Sequence, residues 1–356
     1  MNNYKYEKKT NEDKFNKKSN CLVNHSSKII SDYIEEIEFN YKKRNPDFSV
    51  LAIDGGGTKT LAKVVNINKD VIFTAEAGTS NYHVVGKKEV ANTLQCIIKK
   101  LTLNLNKDDV LFDIGVFAIA GIDTYEDLLN VKEVITETLG NSPVKFNKII
   151  LENDALSILQ GAIPRHPGVI LISGTGSIAF AHNGKKYYGR SGGWGHRLDD
   201  EGSGYWIGKE AIKSILKSYD GRGDKTLLSE MVIKHLQIRN YEELFHWVYS
   251  NENTAFNISE LAKIVEEAYR LNDKVSKNIL DRAIEELYYL IEAVVKKANI
   301  LDGKFKLMLM GGVLENSKYV NDKLIYKLEK EMPEVSLVTN NNKPIDYVIK
   351  RGVNLV

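Results

Sequence analysis

Two short glycine-rich turns offer the most specific chemistry in this sequence: DGGGTKT at 54–60 and SGTGS at 173–177. Each follows an apolar run, SVLAID (49–54) and GVILIS (168–173), that reads as a buried strand. A turn stripped of side chains lets backbone N–H groups approach an oxyanion and forms an anion-binding nest. Gly55, Gly56, Gly57, Thr58 and Lys59 in the first turn, and Gly174, Thr175 and Gly176 in the second, are therefore candidate phosphate contacts. The threonine hydroxyls add donors, and Asp54 at the strand end can hold Mg²⁺ directly or through water. One such turn alone is equally at home in an ordinary hairpin. Two of them, each opening a similar unit, point to a phosphate chain gripped from both sides. Neither is a Walker A loop or a dinucleotide-binding loop, because G-x-x-x-x-G-K-[ST] and G-x-G-x-x-G are both missing. A third step, MGGV (310–313), puts Gly311 and Gly312 after another buried strand. It suits a flat ligand such as adenine, or a tight strand-to-helix turn.

Carboxylates complete the candidate set. Asp154 follows the apolar run KIILEN, so it stands at the carboxyl end of a strand, where α/β proteins bind ligands. It can accept a proton from an attacking hydroxyl, or cap the helix that ALSILQGA predicts. Asp123, in AGID, is a rival base or a cap for YEDLL. Asp200 and Glu201 sit among glycines, where the backbone can bend around a polyol and carboxylates can accept hydrogen bonds from vicinal hydroxyls. The bland alternative there is a solvated acidic turn. Trp194 can stack on a sugar face or bury itself as core.

The elements that must position these residues follow a repeated plan. After SVLAID come strands LAKVVNI (61–67) and VIFTAEA (71–77), then helix 87–101 with Val90, Leu94, Ile97 and Leu101 on one face. Strand 112–120, helix 125–139, strand 146–153 and helix 155–163 follow. The second half opens again with strand, glycine turn and strand, passes through a mostly helical stretch (203–300), and ends with strand 305–310, helix 316–331, strand 335–340 and a last helix from Pro344. Alternation with internal duplication predicts an α/β protein of two similar lobes with a cleft between them. The expected boundaries are 49–164 plus about 343–356 for the N-terminal lobe and 165–342 for the C-terminal lobe. Residues 1–48 form an extension: polar, aperiodic and expected to be disordered to about residue 25. Ile30, Ile34, Ile37 and Tyr41 lie at helical spacing behind a serine cap, which predicts a helix over 26–44.

The chain has 356 residues, 43% hydrophobic and 27% charged, with net charge +2 from 49 basic and 47 acidic residues. That balance gives no reason to expect nucleic acid or an acidic membrane as partner. Two cysteines, Cys21 and Cys96, form no CxxC, and the seven histidines show no metal-ligand spacing. The first twenty residues lack a signal-peptide core, and no run approaches the roughly 18 apolar residues of a membrane span. A cytoplasmic protein is expected.

Three glycine steps in this order resemble the superfamily of sugar kinases, heat-shock chaperones and actin, with two phosphate loops and then an adenosine loop. SGGWGHRLDDEGSGYWIGKEA (191–211) is similar to the signature of the N-acetylglucosamine kinase branch, grouped with the BadF/BadG/BcrA/BcrD ATPases. The resemblance runs from about 49 to 340 and is strongest at 51–60, 152–162, 171–178 and 191–208. It implies two RNase H-like, actin-like ATPase lobes, ATP and Mg²⁺ as cofactors, and phosphorylation of a small-molecule amino sugar at its 6-hydroxyl. It also implies that Thr58 and Thr175 contact ATP, Gly312 lines the adenosine site, and Asp154 is the catalytic aspartate. Asn81 and Tyr82 would meet the sugar, as would Ser177 and the loop of Gly193, Trp194, Gly195 and Asp200. The chain departs from the pattern at Asp199, which replaces a glycine, at Ile178 and Ala120, where some members carry polar contacts, and in PIDYVIKRGVNL, which lacks a Gly-Ala pair. The zinc motif of the ROK kinases is missing. An ATPase energising a partner protein is the alternative, although activators of that kind use cysteine-ligated clusters that Cys21 and Cys96 do not match. A nucleotide-binding regulator without catalysis is the third reading, and a homodimer stays open.

Overall fold

The computed structural model describes residues 25–39, 46–107, 109–140, 142–185, 187–250, 253–300 and 303–356. The disorder expected up to about residue 25, together with Cys21, falls almost wholly outside them. The first sheet has seven strands. At its centre β3 (Phe48–Gly55) pairs in parallel with β6 (Val110–Ile119), and β6 in parallel with β7 (Val144–Glu152). On the other side β4 (Thr60–Val65) and β5 (Val71–Ala77) continue β3 as an antiparallel meander. The second sheet repeats this plan: β8 (Gly168–Ser173), β9 (Ser177–His182) and β10 (Tyr188–Gly192) form the meander. Strands β11 (Phe305–Met310) and β12 (Val335–Val338) add in parallel on the far side of β8. The duplication read from the sequence is thus a shared five-strand order, extended in the first sheet by β1 and β2, in the two lobes of an actin-like ATPase fold.

The helices explain why apolar residues cover both faces of each sheet. Helices α1 (Tyr82–Leu105) and α2 (Tyr125–Gly140) share a core with one face of the first sheet, through Val90, Leu94, Ile97, Leu128 and Ile135. The other face packs on α3 (Asp154–Ala162) and α11 (Pro344–Val353), and this core runs on into Ile170, Phe180 and Met308 of the second sheet. The far face of the second sheet carries α4 (Gly204–Tyr219), α5 (Leu228–Leu236), α6 (Tyr241–Val248), α7 (Ala255–Arg270), α8 (Lys274–Lys297), α9 (Gly312–Asn316) and α10 (Lys318–Glu331). Helix α1 is broken at Gly86 (φ 77°, ψ 163°), so its regular part starts where the apolar periodicity predicts. A buried ion pair joins α11 to β7, with Arg351 Nε 3.2 Å from Glu152 Oε1.

One expectation is overturned. Residues 26–39 do not form a helix. They form the hairpin β1 (His25–Ser31) and β2 (Ile34–Phe39), and β2 pairs antiparallel with β7; residues 40–44 lie outside the described residues. The three-residue step from Ile34 to Ile37 looks helical, but on a strand it sends the two side chains to opposite faces. Both faces of this sheet are covered, so both are buried, Ile37 with α1 and α2 and Ile34 with α3 and α11. The acidic residues between them are matched by lysines: Glu35 with Lys132 at 2.7 Å and Glu36 with Lys148 at 2.8 Å.

Candidate active site

Three adjacent parallel strands each deliver an aspartate at the carboxyl end: Asp54 on β3, Asp123 just past β6 and Asp154 just past β7. Asp154 is the first residue of α3, but the cap is Asn153, whose Oδ1 accepts from the backbone N–H groups of Ala155 and Leu156. Asn153 is thus the cap, while Asp154 Oδ1 shares the Ala155 N–H at 2.8 Å. Burial pushes the Asp154 carboxyl up to about 7, and the nearby Asp54 charge adds to the rise. Burial likewise raises Asp54 to about 6.

Asp123 does not cap α2. That end is closed by Thr124 and Asp127, whose Oδ2 accepts from the Thr124 hydroxyl and the Asp123 N–H. The Asp123 carboxylate instead faces Arg190 of β10, 3.3 Å from its Nη2. Arg190 is buried, donates to the carbonyls of Asp123 (3.2 Å) and Gly193 (2.6 Å), and stacks its guanidinium 4.4 Å from the Trp194 ring centre. No spacing signal marks Arg190 in the sequence; only its place one strand before the GGWG loop hints at a role. Trp194 itself is 60% exposed, which rules out the core alternative. Its N–H donates to Asp199 Oδ2, so the aspartate that replaces glycine here holds the loop in shape. Gly193 and Gly195 adopt φ of 76° and 87°, which an L side chain would strain.

Asp200 is buried at φ 72° and accepts from the Ser177 N–H at 3.1 Å. Burial raises it to about 6 against the pull of that hydrogen bond. The Ser177 hydroxyl donates to the Glu201 carbonyl, and Ser173 donates to that of Gly202. The N–H groups of Gly204 and Tyr205, at the start of α4, donate to the carbonyls of Gly174 and Thr175. The DEGSGY run is thereby laced onto the second glycine turn, with Gly176 so close that a Cβ would lie 2.9 Å from the Asp200 carboxylate.

The second and third glycine steps also meet. Gly311 has φ 99°, and a Cβ on it would come within 2.4 Å of the Ser173 carbonyl oxygen. Beside them a cavity of about 700 Å³ is lined by Gly174, Thr175, Gly312, Phe256, Lys263 and Glu266, among others. The first turn lies apart from this cavity, with Gly57, Thr58 and Lys59 exposed at its tip. Lys59 pairs there with Glu76 at 2.9 Å. Gly55 is needed for close approach, because a Cβ would fall 2.1 Å from Ser80 Oγ.

Asn81 caps α1 through its side-chain oxygen and abuts Gly121 of the AGID loop. The hydroxyl of the neighbouring Tyr82 donates to Asp127 in α2. Among the described residues no group of three or more His, Cys, Asp or Glu could hold a metal unaided. Asp54 and Asp154 are nonetheless hard oxygen donors with excess negative charge. That fits an ion such as Mg²⁺, which takes one or two carboxylates and completes its shell with water and phosphate.

Residues 51–345 match the BadF/BadG/BcrA/BcrD ATPase family. An N-acetylmuramic acid/N-acetylglucosamine kinase of Clostridium acetobutylicum is 37% identical over 293 residues, which is 82% of this chain and 94% of the relative. An N-acetyl-D-glucosamine kinase of Dictyostelium discoideum is 33% identical over 304 residues, 83% of this chain and 94% of its own. Among solved structures, a Chromobacterium violaceum protein with a provisional N-acetylglucosamine kinase assignment superposes with a TM-score of 0.65. It is 19% identical, over 86% of this chain and all of that one, a likeness of fold. With the duplicated sheets, the paired glycine turns and these matches together, the chain belongs to the BadF/BadG/BcrA/BcrD ATPase family.

Proposed function

We propose that this protein is an ATP-dependent kinase that phosphorylates an amino sugar, N-acetylglucosamine or a close relative, at its 6-hydroxyl. The observation that carries the reading is that Asp154 and, from the facing lobe, Asp200 both feel the charge of Asp123, which Arg190 ties to the Trp194 loop. The two relatives, both amino-sugar kinases by name, support the substrate class.

In this reading the adenosine sits in the cavity beside Gly174 and Gly312, and the phosphates extend toward the first turn at Gly55–Thr58. Asp54 would hold Mg²⁺, which would supply neutralisation of phosphate charge. Asp154, raised toward neutrality, takes the proton from the sugar hydroxyl as it attacks. Asp200 accepts from sugar hydroxyls, the Asn81 amide donates, and the exposed Trp194 face stacks on the ring. Placement in the cytoplasm and Mg²⁺ dependence belong to the same proposal; no described helix is long and apolar enough to cross a membrane.

The test is ADP release measured over N-acetylglucosamine, glucosamine, N-acetylmannosamine and N-acetylmuramic acid, with and without Mg²⁺. Stimulation by at least one of them is expected. ATP hydrolysis indifferent to all four would overturn the kinase and favour an ATPase acting on a partner protein.

A further inference from the structure

The hairpin β1–β2 precedes the part of the chain that matches the family, which begins at residue 51. It nevertheless reaches the centre of the molecule. Register pairs Ile34, the first residue of β2, with Glu152, the last of β7, so the turn at Asp32–Tyr33 projects past the strand end beside Asp154. There the Tyr33 carbonyl accepts from the Asn153 backbone N–H at 3.1 Å. Asn153 is almost fully buried and its other groups are committed as well. Its Oδ1 caps α3, and its Nδ2 donates to the Ile122 carbonyl at 3.2 Å, next to Asp123. A buried N–H without an acceptor costs about 1–3 kcal/mol, so the Tyr33 carbonyl fixes the residue that sets the direction of Asp154.

The Tyr33 side chain crosses to the other lobe. Its ring stands edge-on to Phe180 of β9, with centroids 5.3 Å apart. Tyr33 and Arg190 line one cleft with Ser31, Tyr188 and Gly189, where burial raises the phenol and the guanidinium pulls it back down. Arg190 is the group that holds the Gly193 carbonyl, stacks on Trp194 and pairs with Asp123. The turn thus touches both the cap of the Asp154 helix and the anchor of the sugar loop.

We propose that the hairpin is a positioning element of the phosphoryl-transfer site, with Tyr33 aligning Asp154 through Asn153 and the Trp194 loop through Arg190. This rests on the amino-sugar kinase reading of the same cleft. Misplacing a reacting group by about 1 Å costs up to about 10²-fold in rate, so the effect is expected in turnover as well as in folding.

The experiment uses the full chain with Tyr33→Ala and Tyr33→Phe, assayed by ADP release with N-acetylglucosamine and normalised to calorimetric ATP-binding stoichiometry. Tyr33→Ala is expected to lower kcat/KM for the sugar about 10- to 100-fold with ATP affinity unchanged. Tyr33→Phe keeps the ring on Phe180 and the carbonyl on Asn153 but loses the hydroxyl beside Arg190, so it should show a smaller loss of the same kind. Coupling is reciprocal, so N-acetylglucosamine should also slow amide exchange at residues 31–34 of the unaltered protein. Kinetic constants per folded molecule that stay normal in Tyr33→Ala, with only the melting temperature lowered, would reduce the hairpin to extra sheet and overturn the proposal. Exchange at 31–34 indifferent to the sugar would overturn it too. Turnover by the unaltered chain tests the underlying reading separately: its absence defeats the kinase, whereas normal turnover with normal Tyr33→Ala kinetics defeats only the hairpin's role.

Discussion

Asp154, Asp54 and Asp200 all sit above the ordinary carboxylate value, chiefly because burial disfavours their charge. A base must be charged to accept a proton, so kcat is expected to fall as pH drops below about 7. Stability runs the opposite way. The folded state holds these protons more tightly than the unfolded chain, so their contribution is full below the ordinary value near 3.8 and is lost as pH rises through about 6 to 7. Asp154→Asn removes the buried charge. It should therefore melt higher than the parent at pH 8 in metal-free buffer, by on the order of 1 kcal/mol, and show no advantage at pH 4. The same variant should lose about 10²- to 10⁴-fold in kcat while still binding ATP. Thermal melts at both pH values and a coupled ADP assay check this; near-normal kcat would take the base role from Asp154.

Between elements, close approach and buried charge set what can change. Gly311 lies where β11 meets α9, and an added Cβ would press on the Ser173 carbonyl. Gly311→Ala should strain the turn by about 1–3 kcal/mol and weaken ATP binding, with the sugar KM at saturating ATP little altered. Calorimetric titration of ATP reads this, and unchanged affinity would detach the cavity from the nucleotide. The pair between Glu152 on β7 and Arg351 on α11 is buried on both sides. Glu152→Gln leaves the guanidinium without its counter-charge and should cost about 3–5 kcal/mol, measured by urea unfolding. A loss under 1 kcal/mol would mean that water reaches the pair.

Across the whole molecule, the proposed sugar site would be divided between the lobes. Asn81 and Asp154 belong to elements of the first sheet's lobe, Trp194 and Asp200 to the second. A sugar touching all four can favour closure, which excludes water from the reacting phosphate. ATP hydrolysis without sugar should accordingly be slow, and small-angle scattering should show compaction on adding N-acetylglucosamine, less with glucose. Asp200→Ala leaves sugar hydroxyls unpaired and should raise the sugar KM by the equivalent of about 1–3 kcal/mol. A scattering profile blind to every sugar would argue against closure as the source of specificity.

The sequence by itself determined the duplicated α/β plan, because each unit announces itself locally: an apolar run, a glycine turn, a meander, then helices of clear period. It also singled out the residues that the proposed chemistry would use, the glycine turns, Asp54, Asp154 and the Trp194 to Asp200 loop, since glycines and carboxylates at strand ends stand out locally. Partnership was decided only in three dimensions. Asn153 and Asp154 are both capping types, and only the structure shows Asn153 holding the Ala155 and Leu156 N–H groups while Asp154 shares the first of them. That the Tyr82 hydroxyl donates to Asp127 follows only from the packing of α1 on α2. Arg190 carries no local signal, since its partners Asp123 and Gly193 lie on different lobes. The hairpin is the sharpest case: Ile34 and Ile37 are spaced for a helix, and only the open edge of β7, with cores on both of its faces, makes them a strand.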